Sequence, residues 1–212
     1  SIDSAINELK DCQTITILPL FPQYSSAATG SALNAVFKSI QLHGINANLK
    51  VVQDFYDHPG FIEPMAAQIK PHLDSHEHVL FSYHGLPERQ ILKEGCDSVC
   101  GTPCPDPKQG NSNCYRAQCY ATSNALSAIL KLTPELYSTT FQSRLGRIPW
   151  IQPYTDEVLP NLAKKGIRNL LVACPSFTAD CLETLEEIGI RAKEQWHKCG
   201  GENLTLVPCV NA

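Results

Sequence analysis

The stretch His78-Val79-Leu80-Phe81-Ser82-Tyr83-His84-Gly85-Leu86-Pro87 decides the fold. Val79 to Tyr83 is a run without charge, bounded by turn residues. Such a run predicts a buried strand of a parallel sheet. Gly85 can adopt backbone angles closed to other residues, and Pro87 cannot continue a ladder. His84 is therefore expected at the carboxyl end of a buried strand, where open α/β sheets bind ligands. Taken alone, a histidine there is as often a loop hydrogen-bonding group as a reactive one.

Outward from this stretch, strands alternate with helices. Residues 1–9 read as a helix and 14–20 as a β-branched strand. A Ser- and Ala-rich loop follows, then a helix over 32–43 with Ser31 as N-cap and Leu33, Val36, Phe37 and Ile40 on one face. A strand is expected at 49–53 and a helix at 61–73. Beyond the central strand come a helix at 115–132, a strand at 139–142 and a helix at 155–165 capped by Thr155. A strand at 169–173, one long helix at 180–198 capped by Asp180, and a strand at 204–207 complete the pattern. It predicts an α/β protein of two Rossmann-like half-domains with parallel sheets flanked by helices. The first half-domain is assigned to residues 1–65 and the second to 66–212. The second carries a polar, cysteine-rich insertion at 95–114.

The 212 residues are 43% hydrophobic and 18% charged, as in ordinary globular proteins. A net charge of −4 supplies no electrostatic attraction to nucleic acid or to an anionic membrane. No apolar run approaches the roughly 20 residues of a membrane span, and no secretory signal opens the sequence. A cytoplasmic location is expected. Neither Gly-x-Gly-x-x-Gly nor a P-loop is present, so no phosphate cradle for a nucleotide is expected.

Five of the ten cysteines fall between Cys96 and Cys119. The spacing is Cys96-x3-Cys100-x3-Cys104-x9-Cys114-x4-Cys119, and it points to a metal. Zinc is one candidate, although there is no Cys-x2-Cys pair and no nearby histidine. Cys12, Cys174, Cys199 and Cys209 read as small buried residues.

Four segments resemble, in the same order, those of the ferrochelatase family. They are Leu20-Phe21-Pro22-Gln23-Tyr24-Ser25; Phe81-Ser82-Tyr83-His84-Gly85-Leu86-Pro87; Phe141-Gln142-Ser143-Arg144-Leu145-Gly146 with Pro149-Trp150 and Thr155-Asp156-Glu157 behind it; and Phe177 to Leu185. Four matches in register are far more specific than one. The resemblance implies a chelatase-like fold and insertion of Fe²⁺, as substrate, into a porphyrin (protoporphyrin IX or coproporphyrin III) to form haem. It implies that His84 accepts a pyrrole proton or contacts iron, with Glu183 as the active-site carboxylate opposite. Trp150 and Phe177 match family aromatics near the porphyrin. Tyr24 and Ser25 would line the pocket from the other half-domain, and Arg144 would pair with a propionate or, equally, form a surface salt bridge.

Glu183 and Glu187 are four apart and would share one helix face, from which a row of carboxylates could pass iron inward. Glu186 reads as solvated. The family commonly has a histidine where this sequence has Cys181, which weakens any role for a second imidazole.

Some ferrochelatases carry a [2Fe–2S] cluster on cysteines placed just after the histidine motif. The resemblance implies such a cluster here, on Cys96, Cys100, Cys104 and Cys114. Cys119 is the alternative ligand; it would lie about 140° round the helix from Cys114. About a hundred residues of the family's first portion, by usual domain size, and its final helix are expected to lie outside this sequence. The peripheral membrane contact common in the family would belong to that absent portion. The alternative from another class is a non-catalytic iron–sulfur or metal-binding module, which would need neither His84 nor Glu183.

Overall fold

The structure is a computed structural model that describes residues 1–101 and 104–211. In chain order it has α1 (Ile2–Glu8), β1 (Thr14–Ile17), a π-helical turn (Ser26–Gly30), α2 (Ser31–Leu42) and β2 (Asn48–Val51). Next are α3 (Pro59–Ile69), a 3₁₀ turn (Lys70–Ser75), β3 (His78–His84), α4 (Glu88–Lys93), α5 (Tyr115–Leu130) and β4 (Tyr137–Gln142). The last are α6 (Thr155–Lys164), β5 (Asn169–Ala173), α7 (Leu182–Leu185), a π-helical segment (Glu187–Ala192), α8 (Lys193–Lys198) and β6 (Asn203–Leu206).

β1 and β2 form a two-stranded parallel sheet, and β4-β3-β5-β6 form a four-stranded parallel one. The expected two parallel sheets flanked by helices are present. Residues 65 and 66 both lie inside α3.

β3 is buried on both faces, which is why it reads as a mostly apolar run without charge. Val79, Phe81 and Tyr83 join a core with Phe61, Met65 and Ile69 of α3 and Leu126 of α5. Leu80, pointing the other way, packs with Leu159 of α6, Leu170 and Val172 of β5, and Trp196 of α8. Under the smaller sheet, Ile15 and Ile17 meet Ile6 and Ile40.

β3 pairs with β4 up to His84 beside Gln142, but with β5 only up to Phe81 beside Ala173. Three residues of β3 therefore extend past the end of β5. Gly85 permits the close approach of the chain after β3 to β4. A Cβ there would lie 2.8 Å from the Gln142 carbonyl oxygen and 3.4 Å from Trp150 Cε3.

Several sequence expectations are corrected. The long helix at 180–198 is interrupted by the π-helical segment, where Arg191 N–H reaches back five residues to Glu186 O. Cys181, not Asp180, is its N-cap. Asp180 instead accepts from Thr184 Oγ1, Cys209 N and Asn211 Nδ2, tying the chain end to this turn. Tyr154 precedes α6 as its cap, and Thr155 is buried in a hydroxyl chain with Ser82 and Thr140. α4 was not anticipated. In the insertion, Val99, Cys96 and Cys104 pack against the β3 core.

Candidate active site

A cavity of about 470 Å³ opens at the carboxyl end of the larger sheet. His84, Tyr115 and Ser176 line it with Cys181 and Glu183, while Leu20, Phe21, Leu86 and Phe177 supply apolar wall. Ser25 comes to it from the smaller sheet's side, where its hydroxyl also caps the Ser26–Gly30 turn through Ala28 N.

His84 arrives at the end of β3. Its Nδ1 lies 2.6 Å from the Gly85 carbonyl oxygen. A carbonyl only accepts, so this contact assigns the proton to Nδ1 and leaves the Nε2 lone pair as a base. The Phe177 ring lies 6.3 Å from the imidazole, centroid to centroid, at 60°.

Glu183 stands in the first turn of α7. The Cys181 thiol donates to its carboxylate, and this, with the residue's own backbone N–H and the nearby His84, holds its pKa below the usual carboxylate range. The influence of His84 on Glu183 shows the two groups to be electrostatic neighbours across the cavity. Burial, and then the bond to Glu183, push the Cys181 thiol up, so it remains a donor.

Other sequence-predicted residues lie elsewhere. Glu187 does not share the cavity with Glu183. It lines a second, polar cavity of about 250 Å³, where its carboxylate accepts from Ser143 N at 2.7 Å and Ser143 Oγ at 2.5 Å. The i,i+4 argument assumed a continuous α-helix, but Glu187 opens the π-helical segment, whose wider turn rotates it off the Glu183 face. Arg144 also lines this second cavity. Its guanidinium is already paired with Asp156 at 2.6 Å and Glu157 at 3.0 Å and stacks on Tyr154 at 4.0 Å. Tyr24 is outside the residues lining the His84 cavity; its N–H donates to Gln118 Oε1 at 2.6 Å. Trp150 is also outside that lining and donates from Nε1 to Leu145 O.

The insertion's thiols are electrostatic neighbours, but they do not converge. Cys114 is buried, and burial followed by its neighbour Cys96 pushes its thiol up to about 12. Cys104 Sγ accepts from Arg116 Nη1 at 2.7 Å, and Cys96 Sγ from Asn111 Nδ2 at 3.4 Å. Cys119 is fully buried against Tyr115. Among the described residues, no group of three or more His, Cys, Asp or Glu is gathered closely enough to hold a metal ion. The donor type suits an iron–sulfur cluster, but the arrangement found does not.

Sequence reasoning missed Tyr115, Ser176 and Gln142 as site residues. Tyr115 donates to the His84 carbonyl at 2.7 Å, Ser176 Oγ accepts from His84 N at 2.9 Å, and Gln142 Nε2 donates to the Glu183 carbonyl at 2.6 Å. Gln142 lies within a quoted motif, which was a usable signal. Nothing local marked the other two.

The fold is that of an α/β protein with an imidazole and a carboxylate lining one largely apolar cavity at the carboxyl end of its larger sheet, where open α/β sheets bind ligands. All of residues 1–212 match the family model described as Ferrochelatase. A protein named Ferrochelatase from Legionella pneumophila (strain Corby) is 56% identical over 211 residues, covering 100% of this chain and 64% of the relative. One from Coxiella burnetii (strain RSA 493 / Nine Mile phase I), with the same name, is 46% identical over 219 residues, covering 100% of this chain and 61% of the relative. The chain belongs to the ferrochelatase family. It spans less than two thirds of the length of these curated relatives.

Proposed function

We propose that the protein carrying this chain inserts ferrous iron into a porphyrin to form haem. The observation that carries this reading is the pairing of His84, with a free Nε2, and Glu183 at one apolar-walled cavity. Two pyrrole N–H bonds break, two protons leave, and the nitrogens bind Fe²⁺. No electron is transferred, and no nucleotide is consumed.

In this reading the apolar wall, including Phe177, holds the flat ring by stacking and edge contacts. His84 Nε2 accepts pyrrole protons, because a neutral imidazole is a competent base near neutral pH. Glu183, kept ionised by the Cys181 thiol, draws the cation to the opposite side. Ser25 contributes from the smaller sheet's side. Roles for Tyr24, Trp150 and Arg144 toward the porphyrin, and for Glu187 toward incoming iron, require a different disposition of these side chains. Arg144 in particular would have to leave two carboxylates to meet a propionate.

The [2Fe–2S] cluster on Cys96, Cys100, Cys104 and Cys114, with Cys119 as alternative, is likewise a proposal. Its support is the nearness of the thiols and the guanidinium of Arg116, which is 3% exposed and makes no ion pair among the described residues. A buried cation is costly without a negative partner, and a cluster of four thiolates would supply one. The thiols would have to close together, and no step of the insertion runs through the cluster.

No helix among the described residues is long and apolar enough to cross a membrane. A cytoplasmic location and peripheral membrane contact through other portions of the protein are proposed from the family alone. The function is tested by adding Fe²⁺ without air to the whole protein and a porphyrin and following the porphyrin absorbance. No metallation above the protein-free rate would refute it.

A further inference from the structure

The peptide joining His84 to Gly85 is fixed at both ends. Its carbonyl, that of His84, accepts from the Tyr115 hydroxyl at 2.7 Å. Its N–H, that of Gly85, donates to the Gln142 carbonyl at 2.8 Å. One residue back, His84 N–H donates to Ser176 Oγ at 2.9 Å. Three hydrogen bonds thus hold the backbone on both sides of His84. The imidazole hangs from it, because its Nδ1 is held by the Gly85 carbonyl.

Tyr115 is the first residue of α5, follows the N-cap Cys114, and is only 6% exposed. One turn on, the buried thiol of Cys119 neighbours the same phenol. Burial and the neighbouring thiol keep the hydroxyl protonated, so it is a permanent donor.

We infer that Tyr115 is a positioning residue for His84, linking the amino end of α5, and with it the cysteine-rich insertion, to the imidazole. It sets the plane of the His84–Gly85 peptide and hence the direction of the ring that Gly85 holds. The inference rests on the reading of His84 as proton acceptor.

The test is Tyr115→Phe in the whole protein, which removes one hydroxyl and keeps the ring in the core. Porphyrin metallation kinetics and amide hydrogen exchange at Gly85 are measured beside wild type and His84→Ala. The expected result is a kcat lower by roughly 10- to 100-fold, the range for loss of a group that orients a reactive residue. KM for porphyrin should stay within about twofold, because the ring's apolar wall is intact. Gly85 exchange should quicken by about tenfold or more, since the peptide's second anchor is gone. In a His84→Ala background the same change should cost nothing further, because coupled residues are non-additive. Wild-type kcat together with wild-type Gly85 protection in Tyr115→Phe would overturn the inference. If His84→Ala retains activity, the reading of His84 fails instead, and Gly85 exchange alone then decides whether the clamp exists.

Discussion

The thiol of Cys181 donates to the carboxylate of Glu183 and so lowers its pKa. This cysteine occupies the position where the family commonly has histidine. It serves as donor to the acidic residue and as N-cap of α7. Cys181→Ala should therefore raise the Glu183 pKa. The acid limb of the rate profile for metal insertion should move to higher pH, because a carboxylate with a higher pKa loses its charge sooner as pH falls. Cys181→Ser, which keeps a donor, should leave that limb near wild type. Measuring the rate of Zn²⁺ insertion from pH 4 to 8 checks both.

His84→Ala is expected to abolish metal insertion with the fold intact, and Glu183→Gln to be nearly as severe. A positioned acid–base group contributes roughly 10²–10⁴-fold, so retention of more than about a tenth of the wild-type rate would count against either role. Circular dichroism and thermal melting establish that the folds match.

His78 gives the chain an acid sensitivity unrelated to the site. It is 5% exposed, and burial lowers its pKa from 6.5 to about 4. The folded state thus refuses a proton that the unfolded chain takes. The stability this gives is complete above about pH 6.5 and is lost as pH falls toward 4. Its size is on the order of 3 kcal/mol, since the pKa falls by about 2.5 and one pKa unit is about 1.4 kcal/mol. Urea midpoints at pH 7 and pH 4.5 should converge in His78→Gln relative to wild type.

If the insertion holds a [2Fe–2S] cluster, anaerobically purified protein will contain about two irons and two sulfides per chain, the stoichiometry of a binuclear four-thiolate site. Cys114→Ser should bleach it and Cys12→Ser should not. Stoichiometric zinc in a colourless protein would contradict the assignment.

Gly85→Ala should displace the turn after β3, because the added carbon would meet Gln142 O at 2.8 Å and that oxygen is backbone. A cost of about 1–3 kcal/mol, as for overpacking, is expected in the unfolding free energy. Activity should fall further than this alone requires, because the displaced residue adjoins His84.

β3 was legible because burial on both faces leaves a mostly apolar run without charge, and its end at Gly85 and Pro87 is a local rule. The π-helical segment was not legible. Residues 180–198 carry ordinary helix formers, and the widened turn is set by contacts from distant elements, such as Ser143 on Glu187. The same non-local cause moved Glu187 out of the cavity. For Arg144 the sequence left a propionate and a surface salt bridge equally open, and the fold gives it the salt bridge, to Asp156 and Glu157 across a loop containing Pro149 and Pro153. α4 went unnoticed since six residues are too few for a periodic pattern. His84, Ser25, Phe177 and Glu183, all from the motif segments, line one cavity, whereas the hydroxyl and amide groups beside them are invisible until the chain is folded.

The unequal ends of β3 and β5 have a consequence of their own. At about 3.3 Å per residue, the three residues by which β3 outlasts β5 make a step some 10 Å deep in the sheet's edge. The chain leaving β5 no longer pairs after Ala173, and at the far end of the step only the Ser176 hydroxyl meets the β3 backbone, at His84 N–H. Any insertion that prolonged β5 by even two paired residues would fill this notch with backbone. Length in β3 and β5 should therefore be far less tolerant of change than length at the outer strand β6, although no residue of β5 lines the His84 cavity.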